Sequence, residues 1–279
     1  MDEPRVAESS AYRTPTMLEG LGARVGRMLP EGGVRRALRA AYRLAVRLRT
    51  GGSVTARLPG GEAVRLLPEY RFVTWNGPEY EAFRAAAHPG AVALDVGANV
   101  GAYTLLLGQW VRPGGRVFAF EPAPEAYGGL TAHVRLNGLG DGVTCVRAAV
   151  SSSTGTATLT VDGLSGANRL DASATGERVE TVTLDDFCRR EGVRPSFIKI
   201  DVEGAELDVL RGARETIREG GAGLALFVEM HPTIWREMGI TAADVRAEIE
   251  AQGLRALPLR DDVDDPWALE GECLRLVRR

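Results

Sequence analysis

Apolar positions along the chain follow two rhythms. Up to about residue 78 they are sparse or alternate with polar ones, whereas from Ala91 short continuous apolar runs alternate with stretches of helical spacing. The runs Ala91–Val96, Arg116–Glu121, Val143–Val150, Ser196–Asp201 and Gly223–Pro232 predict strands, most of them buried on both faces. Helices are predicted between them. One spans about Gly101 to Trp110. The next carries Ala123, Tyr127, Leu130 and Val134 on one face, has Pro124 in its first turn and stops at Asn137-Gly138. A third turns Leu207, Leu210, Ala213 and Ile217 inward, and a fourth runs from an N-cap at Thr241 to Gly253. Leu254–Leu259 and Cys273–Val277 supply two last strands. Such alternation implies an α/β fold, a mostly parallel seven-stranded sheet with helices on both faces.

Residues 151–184 interrupt this rhythm. Gly155–Val161 and Arg178–Leu184 alternate like paired strands around Asp162–Gly176, a loop of small and polar residues. This predicts an inserted hairpin and loop, a place for substrate contacts. Residues 1–78 predict an N-terminal extension: a mobile polar tail, an amphipathic helix over Val34–Arg49, and a β-hairpin from Ser53–Leu58 and Glu62–Leu67 around Pro59-Gly60-Gly61. The helix sets Val34, Leu38, Tyr42, Ala45 and Leu48 against Arg35, Arg36, Arg39, Arg43, Arg47 and Arg49. That face fits packing on its own domain with the arginines in water, the preferred reading, with a membrane surface or a nucleic acid as the alternative. Phe72–Glu81, rich in aromatics and acids, fits both a cover over a ligand and a packed N-terminal cover.

The densest chemical signal is Val92-Ala-Leu-Asp95-Val-Gly97-Ala-Asn99-Val-Gly101, a strand, a glycine turn and a helix start. Gly97 lets the backbone turn, Gly101 lets the helix pack close, and the helix N-terminus offers free N–H groups. A dinucleotide site wants Gly-x-Gly-x-x-Gly. Here the middle glycine is missing and Asp95 would repel a pyrophosphate. The pattern suits a ligand with an ammonium group and no phosphate, such as S-adenosylmethionine (SAM). Glu121, about twenty residues beyond Gly101, stands where a ribose-diol acceptor is expected.

Net charge is −3, with 44% hydrophobic and 25% charged residues, so nothing global calls for nucleic acid. Lys199 is the only lysine. Cys145, Cys188 and Cys273 form no Cys-x-x-Cys pair, which argues against a disulfide framework or zinc and fits a reducing, cytoplasmic setting. No signal peptide or membrane span is read from the chain, and homo-oligomerisation stays open.

Strand-end polar residues gather the remaining chemistry: Asp201, Glu203, Glu229 and His231 follow the fourth and fifth strands, which are expected to lie beside the first. His88 and His133 lack such company and read as structural.

Leu94–Gly101, Phe120-Glu-Pro122, Thr183–Asp186, Lys199–Glu206 and Glu229-Met-His231 together resemble the FkbM family of SAM-dependent methyltransferases, over about Tyr80 to Pro232. The resemblance implies a Rossmann-like class I methyltransferase domain over residues 79–279. It implies that Asp95, Gly97, Asn99, Gly101, Glu121 and Pro122 hold SAM, with Asp201 close to the sulfonium. It also implies O-methylation of natural products or sugars. An oxygen acceptor agrees with Asp201-Val-Glu203-Gly204 after the fourth strand, where a nucleobase N-methyltransferase would carry prolines and an aromatic. Two other readings are an RNA or peptide methyltransferase gripping its substrate with the basic helix, and a non-catalytic SAM or nucleotide binder. Asp201, Glu229 and His231 are the expected catalytic cluster, with His231 as general base. In the alternative, not preferred, the three bind a divalent cation such as Mg²⁺.

Overall fold

The main sheet of the protein, in a computed structural model that describes residues 52–161, 168–171, 176–263 and 265–279, contains seven strands. They are β3 (Val92–Val96), β4 (Arg116–Phe120), β5 (Val143–Val146), β10 (Phe197–Ile200), β11 (Ala225–Met230), β12 (Leu254–Pro258) and β13 (Glu272–Arg278). Their spatial order is β12-β13-β11-β10-β3-β4-β5. The strands from β11 to β5 are parallel, and β13 inserts antiparallel between β11 and β12. This is the Rossmann-like, mostly parallel seven-stranded sheet expected. The mobile tail and basic helix expected before residue 52, and most of the Asp162–Gly176 loop, lie outside the described residues.

Strand periodicity of two sorts side chains onto two buried faces. Leu94, Val96, Phe118, Phe120, Ile198, Ile200, Leu226, Val228 and Met230 point to one face. There they meet α4 (Leu184–Glu191), α5 (Glu206–Arg211), α6 (Arg214–Gly220) and α8 (Ala242–Ala251), through Phe187, Leu210, Ile217 and Ile249. Ala93, Val117, Ala119, Phe197 and Phe227 point to the other face. They pack on α1 (Gly77–Ala86), α2 (Ala102–Trp110) and α3 (Pro124–Leu136) through Phe83, Leu106 and Leu130.

The N-terminal hairpin of β1 (Val54–Arg57) and β2 (Ala63–Leu66) joins this second cluster through Leu58, Val64 and Leu66. Glu62 anchors it, accepting from Tyr80 Oη (2.6 Å), Trp110 Nε1 (2.8 Å) and Arg84 Nε (2.9 Å). His133 is structural, as expected: Nε2 accepts from Leu67 N (2.9 Å) and Nδ1 lies 2.7 Å from Val100 O, joining α3 to the hairpin and the glycine turn.

Several boundaries depart from the sequence expectation. The single strand expected over Val143–Val150 is two, because β5 pairs with β4 while β6 (Ala149–Val150) leaves to pair with β9 (Glu177–Val182). The insertion is more than a hairpin. β7 (Gly155–Val161) pairs with β9, and β8 (Asn168–Asp171), within the segment expected as loop, adds to β7. The order is β6-β9-β7-β8. Strand character stops at Val182, since Thr183 caps α4 by accepting from Asp186 N (3.0 Å). The helix expected from Leu207 to Ile217 is broken between α5 and α6. At Gly212 any Cβ would overlap the Ser151 carbonyl, so the insertion crosses at this point. A helix not anticipated, α7 (Pro232–Glu237), follows His231.

Candidate active site

At its carboxyl ends, the sheet reverses direction between β3 and β10: the chain goes from β3 to β4 and β5 on one side, then returns to β10 and β11 on the other. Ligands of open α/β sheets lie above this point. The turn after β3 is built by left-handed backbone at Gly97 (φ 80°), Asn99 (φ 49°) and Gly101 (φ 94°). Gly97 is required there, because a Cβ would overlap the Asp201 carbonyl oxygen of the neighbouring strand end. Gly97 N and Ala98 N both donate to Phe120 O, at 3.1 and 2.9 Å, which fixes the turn against β4.

A cavity opens above this turn. Gly97, Asn99, Glu121, Pro122, Asp201 and Glu203 line it, with Phe120, Ala148, Val150 and Leu159 as apolar wall. Glu121 is oriented by two backbone donors, Asn99 N to Oε2 (2.9 Å) and Ala123 N to Oε1 (2.8 Å). Burial raises its pKa against the pull of those bonds. Leu159 comes from β7, so the insertion forms part of this wall as well as whatever its loop contacts.

Two expected cofactor residues are absent from the cavity wall. Asp95 is buried on the α1/α2 face, where strand alternation turns it. Thr104 Oγ1 donates to Oδ2 (2.5 Å), and Lys199 Nζ lies 3.7 Å from Oδ1. Gly101 opens α2 and faces Leu130, whose Cδ1 would stand 2.8 Å from an added Cβ. Both support the turn from behind.

Beside the cavity is a dense charge cluster. Alternation places Asp95, Lys199 and Glu229 on one face of three adjacent strands, with Lys199 in register with Asp95 and Phe227. Lys199 Nζ donates to Asp201 Oδ2 (3.0 Å) and lies over the Tyr103 ring. Burial works against its charge, but Asp201, Asp95 and Glu229 hold its pKa above the ordinary lysine value. Glu79 enters from α1. Burial, opposed by its hydrogen bond to Tyr103, pushes its carboxyl up to about 7. Burial, then repulsion from Asp201 and Glu79, pushes Glu229 well above the carboxylate range.

His231 sits at the end of β11, nearly inaccessible to solvent. Its Nδ1 is 2.7 Å from Glu206 Oε1, and Glu206 also accepts from Trp235 Nε1 (2.6 Å) and Gly204 N (3.0 Å). The other nitrogen, Nε2, faces Glu229 Oε1 (3.7 Å), Glu203 Oε2 (3.8 Å) and Asp201 Oδ1 (3.9 Å). Burial alone would lower its pKa. The Glu206 bond and the surrounding carboxylates outweigh that and raise it to about 10. The expectation of His231 as general base was drawn without Glu206, which sequence spacing does not place beside the ring.

The structure thus brings Asp201, Glu229 and His231 together, and Asp201 and Glu203 belong both to the cavity and to the cluster. Sequence reasoning placed Glu79 in a segment that could cover a ligand and Glu206 and Lys199 in a motif, but gave none of the three its role in this cluster. A lone lysine in an apolar strand was a usable signal, since a buried ammonium needs partners. Glu206 closes the Lys199–Glu206 motif, but no local signal paired it with a histidine 25 residues away.

Residues 95–256 match the family described as "Methyltransferase FkbM domain". The chain is 33% identical over 156 residues to the methyltransferase sdnD of Sordaria araneosa, covering 44% of this chain and 60% of the relative. It is 30% identical over 130 residues to the hexuronic acid methyltransferase AglP of Haloferax volcanii, covering 46% and 52%. It is also 30% identical over 201 residues to the 31-O-demethyl-FK506 methyltransferase FkbM of Streptomyces tacrolimicus, covering 59% and 74%. The match therefore spans only 60% and 52% of the first two relatives.

Proposed function

The chain belongs to the FkbM methyltransferase family, and from that premise we propose that it transfers a methyl group from SAM to a hydroxyl oxygen of a small molecule. The observation that carries this reading is the junction of cavity and cluster. Gly97, Asn99, Glu121 and Pro122 form one end, and Asp201 joins it directly to Glu229 and His231. In this proposal Glu121 accepts from the ribose hydroxyls, while Gly97 and Asn99 let the backbone approach the cofactor. Asp95 acts at one remove, stiffening the turn through Thr104 and Lys199. Asp201 faces the sulfonium, and the acidic cluster favours that positive charge.

SAM supplies an electrophilic methyl group when bound. The protein supplies the place where an acceptor oxygen meets it and loses its proton. A hydroxyl near Asp201, Glu229 and His231 would lose its proton into this cluster. The sugar-related and natural-product names of the relatives support a polyol or natural-product acceptor.

Isothermal titration of the full chain with S-adenosylhomocysteine tests the cofactor. Micromolar binding, about −8 kcal/mol, is expected. Tight NADH binding with no response to SAM or its product refutes it. With an acceptor in hand, His231→Ala should lower kcat by about 10²–10⁴-fold with homocysteine-form binding intact. Near-normal turnover would leave His231 as a packing residue.

A further inference from the structure

We propose that Asp201, Glu229 and His231 hold a divalent cation, with Glu206 as the residue that positions His231 behind it. Among the described residues these three offer ligand atoms that all lie within 4.8 Å of one another. The imidazole is the independent observation. It is 5% exposed, one nitrogen is fixed on Glu206 at 2.7 Å, and among the described residues the other has no hydrogen-bond partner. That free nitrogen points at carboxylate oxygens 3.7 and 3.9 Å away, too far for hydrogen bonds.

The spacing is that of an open site. Metal–ligand bonds of about 2.0–2.2 Å set neighbouring ligands about 3.0–3.4 Å apart. The imidazole–carboxylate pairs must close by under about 1 Å, and the three ligand atoms, all within 4.8 Å of one another, by at most about 1.8 Å, as like-charged oxygens would around a cation. Support behind the ligands is already in place. Lys199 holds Asp201 Oδ2 at 3.0 Å, which leaves Oδ1 turned to His231. Glu206 is fully buried and saturated by Gly204, Trp235 and His231, so it fixes the ring and leaves Nε2 as the ligand. A carboxylate that orients a metal-bound histidine in this way is a general feature of metal sites.

One imidazole with two carboxylates is a mixed donor set. Oxygens favour Mg²⁺ and Mn²⁺, and the nitrogen shifts preference from Mg²⁺ toward Mn²⁺. Three protein ligands leave positions open on the cavity side. An acceptor hydroxyl bound there would lose its proton more readily. That last role rests on the methyl-transfer reading; the binding of the ion does not.

The test uses the full chain, freed of metal and titrated with Mn²⁺, with the free-ion paramagnetic resonance signal as readout. One Mn²⁺ per chain is expected, with ¹⁴N modulation from a directly bound imidazole. Glu229→Gln and Glu206→Gln should each weaken binding by about 10–100-fold, and Glu206→Gln should also alter the ¹⁴N modulation. Glu121→Ala should lose S-adenosylhomocysteine while keeping Mn²⁺. No Mn²⁺ uptake at millimolar concentration overturns the proposal. Bound Mn²⁺ without nitrogen coupling also overturns it, and needs no variant to be folded. Mn²⁺ binding without any S-adenosylhomocysteine binding would sink the methyl-transfer reading and leave the metal site standing.

Discussion

Replacing Gly97 by alanine tests how the cavity floor is built. Two costs add. Gly97 has φ 80°, and an alanine held in the left-handed region costs about 1–2 kcal/mol. Gly90, at φ 82° with no atom within 4 Å of an added Cβ, carries that cost alone. At Gly97 the Cβ would also overlap the Asp201 carbonyl and come within 3.3 Å of Val202 Cγ1. Relief requires the ends of β3 and β10 to part, where Asp201 N donates to Val96 O at 2.9 Å. Loss of one such buried bond costs about 1–3 kcal/mol. Gly97→Ala should therefore cost about 2–5 kcal/mol, against about 1–2 for Gly90→Ala. Because the movement displaces Asp201, affinity for S-adenosylhomocysteine should fall at least about 10-fold in Gly97→Ala and stay unchanged in Gly90→Ala. Urea unfolding with matched slopes and calorimetric titration read the two effects. Equal stability and equal affinity for the two variants would refute the close approach of the turn to the Asp201 carbonyl.

Further outcomes follow from the same contacts. Glu121→Ala should weaken S-adenosylhomocysteine binding by about 10–100-fold, since it unpairs ribose hydroxyls together with the N–H groups of Asn99 and Ala123; calorimetry decides it. Leu159→Ala should weaken the same binding by a few-fold, about 1 kcal/mol, because Leu159 walls the cavity proposed to hold the cofactor; unchanged affinity would confine the insertion to the acceptor side. Arg214 grips Glu248 through two bonds, of 2.8 and 2.6 Å, and Arg214→Ala should cost about 1–2 kcal/mol at neutral pH. The Arg214 bond holds the Glu248 pKa below its usual value, so this contribution is present above the ordinary carboxylate range and disappears as pH falls through the lowered folded value. Urea unfolding of both proteins between neutral and acidic pH should show the gap closing only at the acid end. Burial pushes the Cys145 and Cys188 thiols up to about 11, so alkylation at pH 8 should be slow in the folded protein and fast in urea.

The sequence by itself determined the elements whose signals are local. Continuous apolar runs gave the strands, and Thr241 and Asn137-Gly138 marked helix ends that α8 and α3 keep. The glycine spacing identified the turn after β3, and strand-end polarity pointed to Asp201, Glu229 and His231. These rest on periodicity and backbone conformation, which neighbouring residues decide. Only the tertiary structure decided how the charges pair. Sheet order put Lys199 between Asp95 and the β11 end. It brought Glu206 onto His231, a bond that raises the pKa of that ring against the effect of burial. Elements that periodicity had joined are also split: α5 ends at Gly212, beside the Ser151 carbonyl, and β6 leaves β5 to pair with β9. Local spacing tells which face a side chain occupies; a buried charge depends on which other strand ends share that face, and that is set by the order in which the sheet assembles.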